Sequence, residues 1–327
     1  MRIRNQGGFT LIEILVSIAL LTVITLILSG TLAPWLTFKS KLDTDRKITE
    51  LQSALSQSYT NNAMTVEVNQ GAAIQTSEGV MTPSTVSGAG QCTNTDASWQ
   101  ALGQFLSEGY QLARKDGYGN EFCIFITQQL ATNYMGASIY YHNVAIVSTG
   151  RAHKLAAGTS LDANGGALSL GTDNVGILVS GYSIQSAKAQ QVFQQMQRIE
   201  SLYESYFTTR YLATASRDIS IDYFATANAG GGSAWDSGGN AIVTNTSGNT
   251  QSNAYDYLHP LGVSLQDATT PYESDNQIKI GNYNECWGTT CVRSSANVGA
   301  PPFTAVLFAQ LPGPSGEGLT QTVTGNY

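Results

Sequence analysis

Gly7-Gly8-Phe9-Thr10-Leu11-Ile12-Glu13 opens an apolar stretch that runs to Phe38. Between Arg4 and Lys39 the only charged residue is Glu13. A lone carboxylate in a membrane-length helix is disfavoured by roughly 2.5–3.5 kcal/mol on insertion scales, so a chain that carries one has reason to give it a partner. The obvious partner is a free amine, made by cutting the chain after Gly8. Phe9 to Leu36 is 28 residues, against about 20 needed to cross a bilayer. A secretory signal peptide places its small-residue cleavage site after the apolar core, whereas Gly7 and Gly8 precede it. The segment is therefore expected to stay in the mature protein. A plain single-pass anchor explains the length but leaves Gly8-Phe9 and Glu13 as coincidences.

This N-terminus resembles that of the type IV pilin and type II secretion pseudopilin family. The resemblance rests on the basic leader Met1 to Gly8, the Gly8-Phe9 junction, Thr10-Leu11-Ile12-Glu13 and the apolar helix behind them. It is close over residues 1–60 and looser beyond. It implies a prepilin leader at 1–8, removed by a membrane peptidase that then methylates Phe9. Gly8 and Phe9 are then the processing residues, and Glu13 is the fifth residue of the mature chain. In a filament the Glu13 carboxylate would pair with the Phe9 amine of a neighbouring subunit, which drives assembly and fixes register. Residues 9–38 become a transmembrane and filament-core helix. The implied partners are other pilin subunits, prepilin peptidase, the inner membrane and its assembly machinery. The implied location is the bacterial inner membrane as a single-pass protein, then a cell-surface pilus or a periplasmic pseudopilus. Arg2 and Arg4 favour a cytoplasmic leader. Many pilins carry a helix-breaking proline where Gly30 stands. Here Pro34 comes four residues later, and a kink or local break is expected around 30–34.

The chain has 327 residues and a formal charge of −7. Without the leader, 14 basic residues face 23 acidic ones and the charge becomes −9. About 290 residues follow the apolar stretch, enough for two domains of ordinary size. Only 12% of residues are charged, and Ser, Thr, Asn, Gln and Gly fill the surface instead, which suits an exported β-rich protein. No basic stripe of the kind that nucleic-acid binding needs is present. The four cysteines, Cys92, Cys123, Cys286 and Cys291, fall as one pair in each half of the exported part. An even count in an oxidising compartment favours disulfides. Of the three connectivities, Cys92–Cys123 with Cys286–Cys291 is favoured, because each bond closes a loop within its own half. Zinc is disfavoured: there is no C-x-x-C pair, and His142, His153 and His259 are not near the cysteines.

Ile48, Leu51, Leu55 and Tyr59 recur at helical spacing. They predict that the first helix continues past the membrane as an amphipathic segment over 39–64. Residues 70–98 read as loop with short strands, and Trp99 to Arg114 as a short helix. Asp116-Gly117-Tyr118-Gly119-Asn120 is a turn signal. Phe122 to Thr127 reads as a strand, and Ile139 to Ser148 as one or two more. The turn resembles an Asp-x-Trp-Gly-like turn of pseudopilin heads, with Tyr118 in the Trp position. In the second half Val192, Met196, Ile199, Tyr203 and Phe207 make another helical stripe, predicting a helix from about 186 to 213. A Gly-rich loop at 230–239, a turn at Tyr257 to Gly262 and a strand at Phe303 to Leu311 follow. The expected fold is α+β: a long N-terminal helix with an antiparallel sheet head. That head, at 39–181, is followed by a second pilin-like helix-plus-sheet module at 182–327. The alternative is one enlarged domain.

Asp162, Asn164 and Asp173 lie in a Gly-rich loop where pseudopilin heads often bind calcium. Calcium wants six to eight oxygens, and a plain polar loop fits the same residues. No nucleophile-elbow or metal-helix pattern supports catalysis, and His142 reads as a strand-surface side chain. No enzyme and no other cofactor is expected. The expected function is that of a minor type IV pilin with an enlarged head for tip priming, adhesion or partner contact. The alternatives are a pseudopilin of a secretion or DNA-uptake machine and a membrane-anchored binding module that does not polymerise. An exported enzyme is a further rival.

Overall fold

The computed structural model describes residues 10–221, 223–224, 252–272, 276–282, 286–287, 290–291, 302–314 and 317–327. At 26–31, 33, 252, 256–257, 281–282, 286–287 and 290–291 it describes the backbone only. The leader, Phe9 and the Gly-rich stretch 230–239 lie outside the described residues.

Helix α1, Leu11–Asn61, is continuous over 51 residues, about 77 Å at 1.5 Å per residue. Pro34 lies inside it without ending it. Along its first half Leu11, Ile12, Leu15 and Leu21 are more than half exposed. Along its second half the expected stripe Ile48, Leu51, Leu55 and Tyr59 is buried. Each such side chain contributes about 1.5–3 kcal/mol when buried. Among the described residues no helix is long and apolar enough to cross a membrane. The expected span 9–38 includes Phe9 and the side chains at 26–31 and 33, which lie outside that set.

A 3-10 turn at Thr65–Val68 ends the helical rod. Two small hairpins follow, β1 (Ile74–Gln75) with β2 (Val80–Met81) and β3 (Thr85–Val86) with β4 (Cys92–Thr93). The helix expected over Trp99 to Arg114 is two short ones, α2 (Asp96–Gly103) and α3 (Tyr110–Ala113). Gly103 ends the first and Gly109 precedes the second, and glycine is a poor helix former. Strands β5 (Cys123–Ile126), β6 (Leu130–Tyr134), β7 (Ala137–Tyr141) and β8 (Asn143–Ser148) come next. A short hairpin, β9 (Ser160–Leu161) with β10 (Leu168–Ser169), leads to β11 (Val175–Ser180). The antiparallel order β11-β8-β5 puts β8 in the centre, and all six of its residues are buried. Helix α1 packs on β8 and β11. A first core joins its stripe to Trp99, Leu102, Phe122, Ile124 and Ile146.

Helix α4, Gly181–Ala213, begins directly after β11, five residues before its expected start. Its stripe Val192, Met196, Ile199, Tyr203 and Phe207 is fully buried. Then come β12 (Ser252–Asn253), α5 (Ala254–Leu258), α6 (Leu265–Ala268), β13 (Lys279–Asn282), β14 (Cys286–Trp287), β15 (Thr290–Cys291), β16 (Thr304–Gln310) and β17 (Gly318–Thr324). The turn expected at Tyr257 to Gly262 is the end of α5 plus a 3-10 turn, closed by Gly262 at φ +101°. Strands β12-β13-β16-β17 form a four-stranded antiparallel sheet, and α4 packs against β16 and β17. A second core gathers there, and Ala137 and Ile139 of the β6–β7 hairpin join it. The fold is thus α+β, a long N-terminal helix followed by antiparallel sheets.

Candidate functional site

Thr10 precedes α1 in an extended conformation. Its N–H donates to Glu13 Oε2 at 2.9 Å and its hydroxyl donates to the same oxygen at 3.0 Å. The carboxylate of the third helical residue thus satisfies a donor at the helix start, as in a capping box. Its negative charge also suits the positive end of the helix dipole. Leu11, Ile12 and Ile14 around it are exposed. The arrangement fixes one charge on an otherwise apolar surface, four residues from Phe9. Such a surface associates favourably only where the charge is met by a partner. Gly8 and Phe9 themselves lie outside the described residues.

Where α1 leaves the apolar stretch, Trp35 and Phe38 are exposed and Lys39 Nζ stands 5.6 Å from the Trp35 ring centroid. Two turns further, Gly117 of the Asp116 to Asn120 turn seats on the helix. Its N–H donates to Thr44 Oγ1 at 3.0 Å, and a β-carbon there would collide with the Ser40 carbonyl. Asp116 holds the turn through bonds to the N–H groups of Tyr118 and Asn120, each at 2.9 Å.

His142 is not on the strand surface but fully buried. It falls in the one-residue break between β7 and β8, where the in-out alternation resets. Its Nε2 lies 3.0 Å from the Gly71 carbonyl oxygen and its Nδ1 2.9 Å from Glu67 Oε2. The second contact is close without hydrogen-bond alignment. Glu67, equally buried, accepts bonds from the Tyr59 hydroxyl, the His142 N–H at 3.1 Å and Gln129 Nε2 at 3.2 Å. Burial, with the Glu67 charge beside it, pushes the Tyr59 hydroxyl well above its ordinary value, so it stays a donor. Tyr59, Glu67 and His142 are all closed to solvent, so this cluster binds elements together and admits no substrate. Sequence reasoning missed it. The available signal was a single acid between Val66 and Val68, but nothing in the order of residues pairs positions 67 and 142.

Cys92 and Cys123 form a disulfide between β4 and β5, packed with Val147. Cys286 and Cys291 stand opposite each other in the β14–β15 register, and their side chains lie outside those described. Asp162 and Asn164 share the β9–β10 turn, where Asp162 Oδ1 accepts the Asn164 N–H at 3.0 Å. The N–H groups of Asn164 and Gly165 hold the Asp162 carboxyl below its usual range. Asp173 stands in a separate turn before β11, with φ +72°. Among the described residues no group of three or more His, Cys, Asp or Glu side chains is placed to hold a metal ion.

Residues 3–29 match the family model described as the prokaryotic N-terminal methylation motif. No curated protein and no solved structure matches the chain.

Proposed function

Taking the N-terminus as that of the type IV pilin and pseudopilin family, we propose that the chain is a minor subunit of a type IV pilus. Cleavage after Gly8 frees the Phe9 amine, the inner membrane holds α1 before assembly, and the helices then bundle in a filament core. The observation that carries this reading is the fixed carboxylate of Glu13 at the start of an exposed apolar helix, inside the matched motif. The head supports a rare rather than a repeating position. The second half of the rod and α4 each lay a buried stripe on an antiparallel sheet, and so bulky a head is hard to repeat closely along a fibre. On this reading residues 1–8 are the leader, 39–181 the first module and 182–327 a second pilin-like one. On the same reading the second module serves tip priming, adhesion or contact with a partner.

Mass spectrometry of sheared surface fibres tests the proposal. The expected result is a scarce species that begins at N-methylated Phe9. A mature protein that still begins at Met1 overturns it. Scarcity in surface fibres together with abundance in a periplasmic pseudopilus moves the assignment to secretion.

A further inference from the structure

The apolar stretch ends with an exposed Trp35, an exposed Phe38 and Lys39 over the Trp35 ring, residue types that gather at membrane–water interfaces. Just past this belt lies a cleft of about 710 Å³, within the range of about 300–1,000 Å³ usual for small-molecule sites. Helix α1 supplies Lys41 and Asp45, four residues apart on one face. The opposite side supplies Arg151, from the turn after β8, and Asp173, from the turn before β11. The seat of Gly117 on Ser40 and Thr44 holds the two sides together.

The charges are the informative part. Asp43, Arg46 and Lys47, on the same stretch of helix, are joined in ion pairs. Lys41, Asp45, Arg151 and Asp173 have no side-chain hydrogen-bond or ion-pair partner among the described residues. Two cations and two carboxylates thus line one cleft unpaired, which suits a ligand that carries both signs. Lys41 to Asp45 lie about 5–10 Å along the helix beyond Phe38, the depth of a headgroup layer about 5–8 Å thick.

We propose that this cleft holds the phosphoethanolamine headgroup of a bilayer lipid. The phosphate oxygens accept from Lys41 and Arg151. The primary ammonium, with its three N–H donors, gives to Asp45 and Asp173. A choline headgroup has no N–H to donate, and a glycerol headgroup has no cation. The inference rests on the reading that the first half of α1 lies in the membrane.

Native mass spectrometry of the detergent-released full chain tests it, with phosphatidylethanolamine, phosphatidylcholine and phosphatidylglycerol offered together. One phosphatidylethanolamine should be retained at least about tenfold over the others, the equivalent of one charge-assisted hydrogen bond. The pairs Lys41→Gln with Arg151→Gln and Asp45→Asn with Asp173→Asn should each abolish that preference. Equal retention of all three lipids, or an unchanged preference in either pair, overturns the proposal. Retention of phosphatidylglycerol alone does so too, because it marks a simple anion site. Flotation on phosphatidylcholine vesicles reads membrane insertion separately. If the chain fails to float, the membrane reading fails, and titration with soluble glycerophosphoethanolamine against glycerophosphocholine decides the cleft. Saturable binding of the first alone keeps a free-headgroup site, and binding of neither or both overturns it.

Discussion

His142 and Glu67 set the terms at the scale of single residues. Both are closed to solvent, with His142 Nδ1 2.9 Å from Glu67 Oε2 and the His142 N–H donating to Glu67 Oε1 at 3.1 Å. Removing one member of a buried polar pair leaves the other without its partner, at about 1–3 kcal/mol. His142→Ala should therefore lower the unfolding free energy of the detergent-solubilised protein by at least about that amount, read from urea unfolding. Glu67→Gln should cost less, because an amide oxygen still accepts from Tyr59 and Gln129. Equal losses from the two would show that the Glu67 carboxylate's charge, which the amide lacks, outweighs the packing of the imidazole. The sequence hid this pair for a simple reason. Between Tyr141 and Asn143 an imidazole reads as a strand-surface side chain until the strand break at 142 is known. Asp267 shows a gentler effect. The Ser264 hydroxyl donates to its carboxylate at 2.6 Å, and that bond is the main cause that holds its pKa below the usual value, with Arg198 adding to it. A carboxyl that is more acidic folded than unfolded stabilises above about pH 4, the unfolded value. That stability is lost as pH falls through the lower folded value. Ser264→Ala should flatten the acid limb of a pH–stability curve and lower the neutral plateau by both the lost bond to Asp267 and the lost helix cap.

Elements were legible in proportion to how local their cause is. The stripes Ile48-Leu51-Leu55-Tyr59 and Val192 to Phe207 announce themselves by spacing, and both are buried as expected. Strand β11 and the start of α4 were not legible, because Val175 to Ser180 is strand only through its pairing with β8. The junction between those two elements is Gly181, whose missing side chain lets α4 begin against the Tyr59 hydroxyl and the His142 carbonyl. A methyl group there would overlap both, so Gly181→Ala should destabilise by roughly 1–3 kcal/mol, the usual cost of overpacking. Thermal unfolding checks it, and an unchanged midpoint would mean that α4 can start elsewhere. The Cys92–Cys123 bond ties β4 to β5 across a sequence separation of 31. Closing a loop of that size is worth about 3–4 kcal/mol by chain entropy. The double variant Cys92→Ala with Cys123→Ala should show that loss, whereas wild-type protein with reductant absent should not.

For the whole molecule, two cores and one rod divide the labour, and the division is not the one that chain order suggests. The β6–β7 hairpin belongs to the first half by sequence, yet Ala137 and Ile139 pack with α4 in the second core. No periodicity announces a hairpin that crosses to a helix fifty residues on, so this coupling stayed out of reach. The rod, by contrast, was readable from the matched motif and the apolar run. The assembly role proposed for it separates cleanly from the fold, since Glu13 belongs to neither core. In the single protomer its carboxylate serves Thr10, and in a filament it would meet the Phe9 amine of a neighbour. Capping and charge pairing can be told apart by substitution. Glu13→Gln keeps an acceptor for the Thr10 N–H but has no charge to neutralise an amine. Glu13→Ala loses both. If charge pairing governs assembly, both variants should remain in the membrane with an intact disulfide, and both should fall at least about tenfold in sheared fibres, as expected for an unmet buried charge. If Gln assembles like wild type while Ala does not, helix capping suffices, and the pairing of Glu13 with a neighbouring amine has to be abandoned.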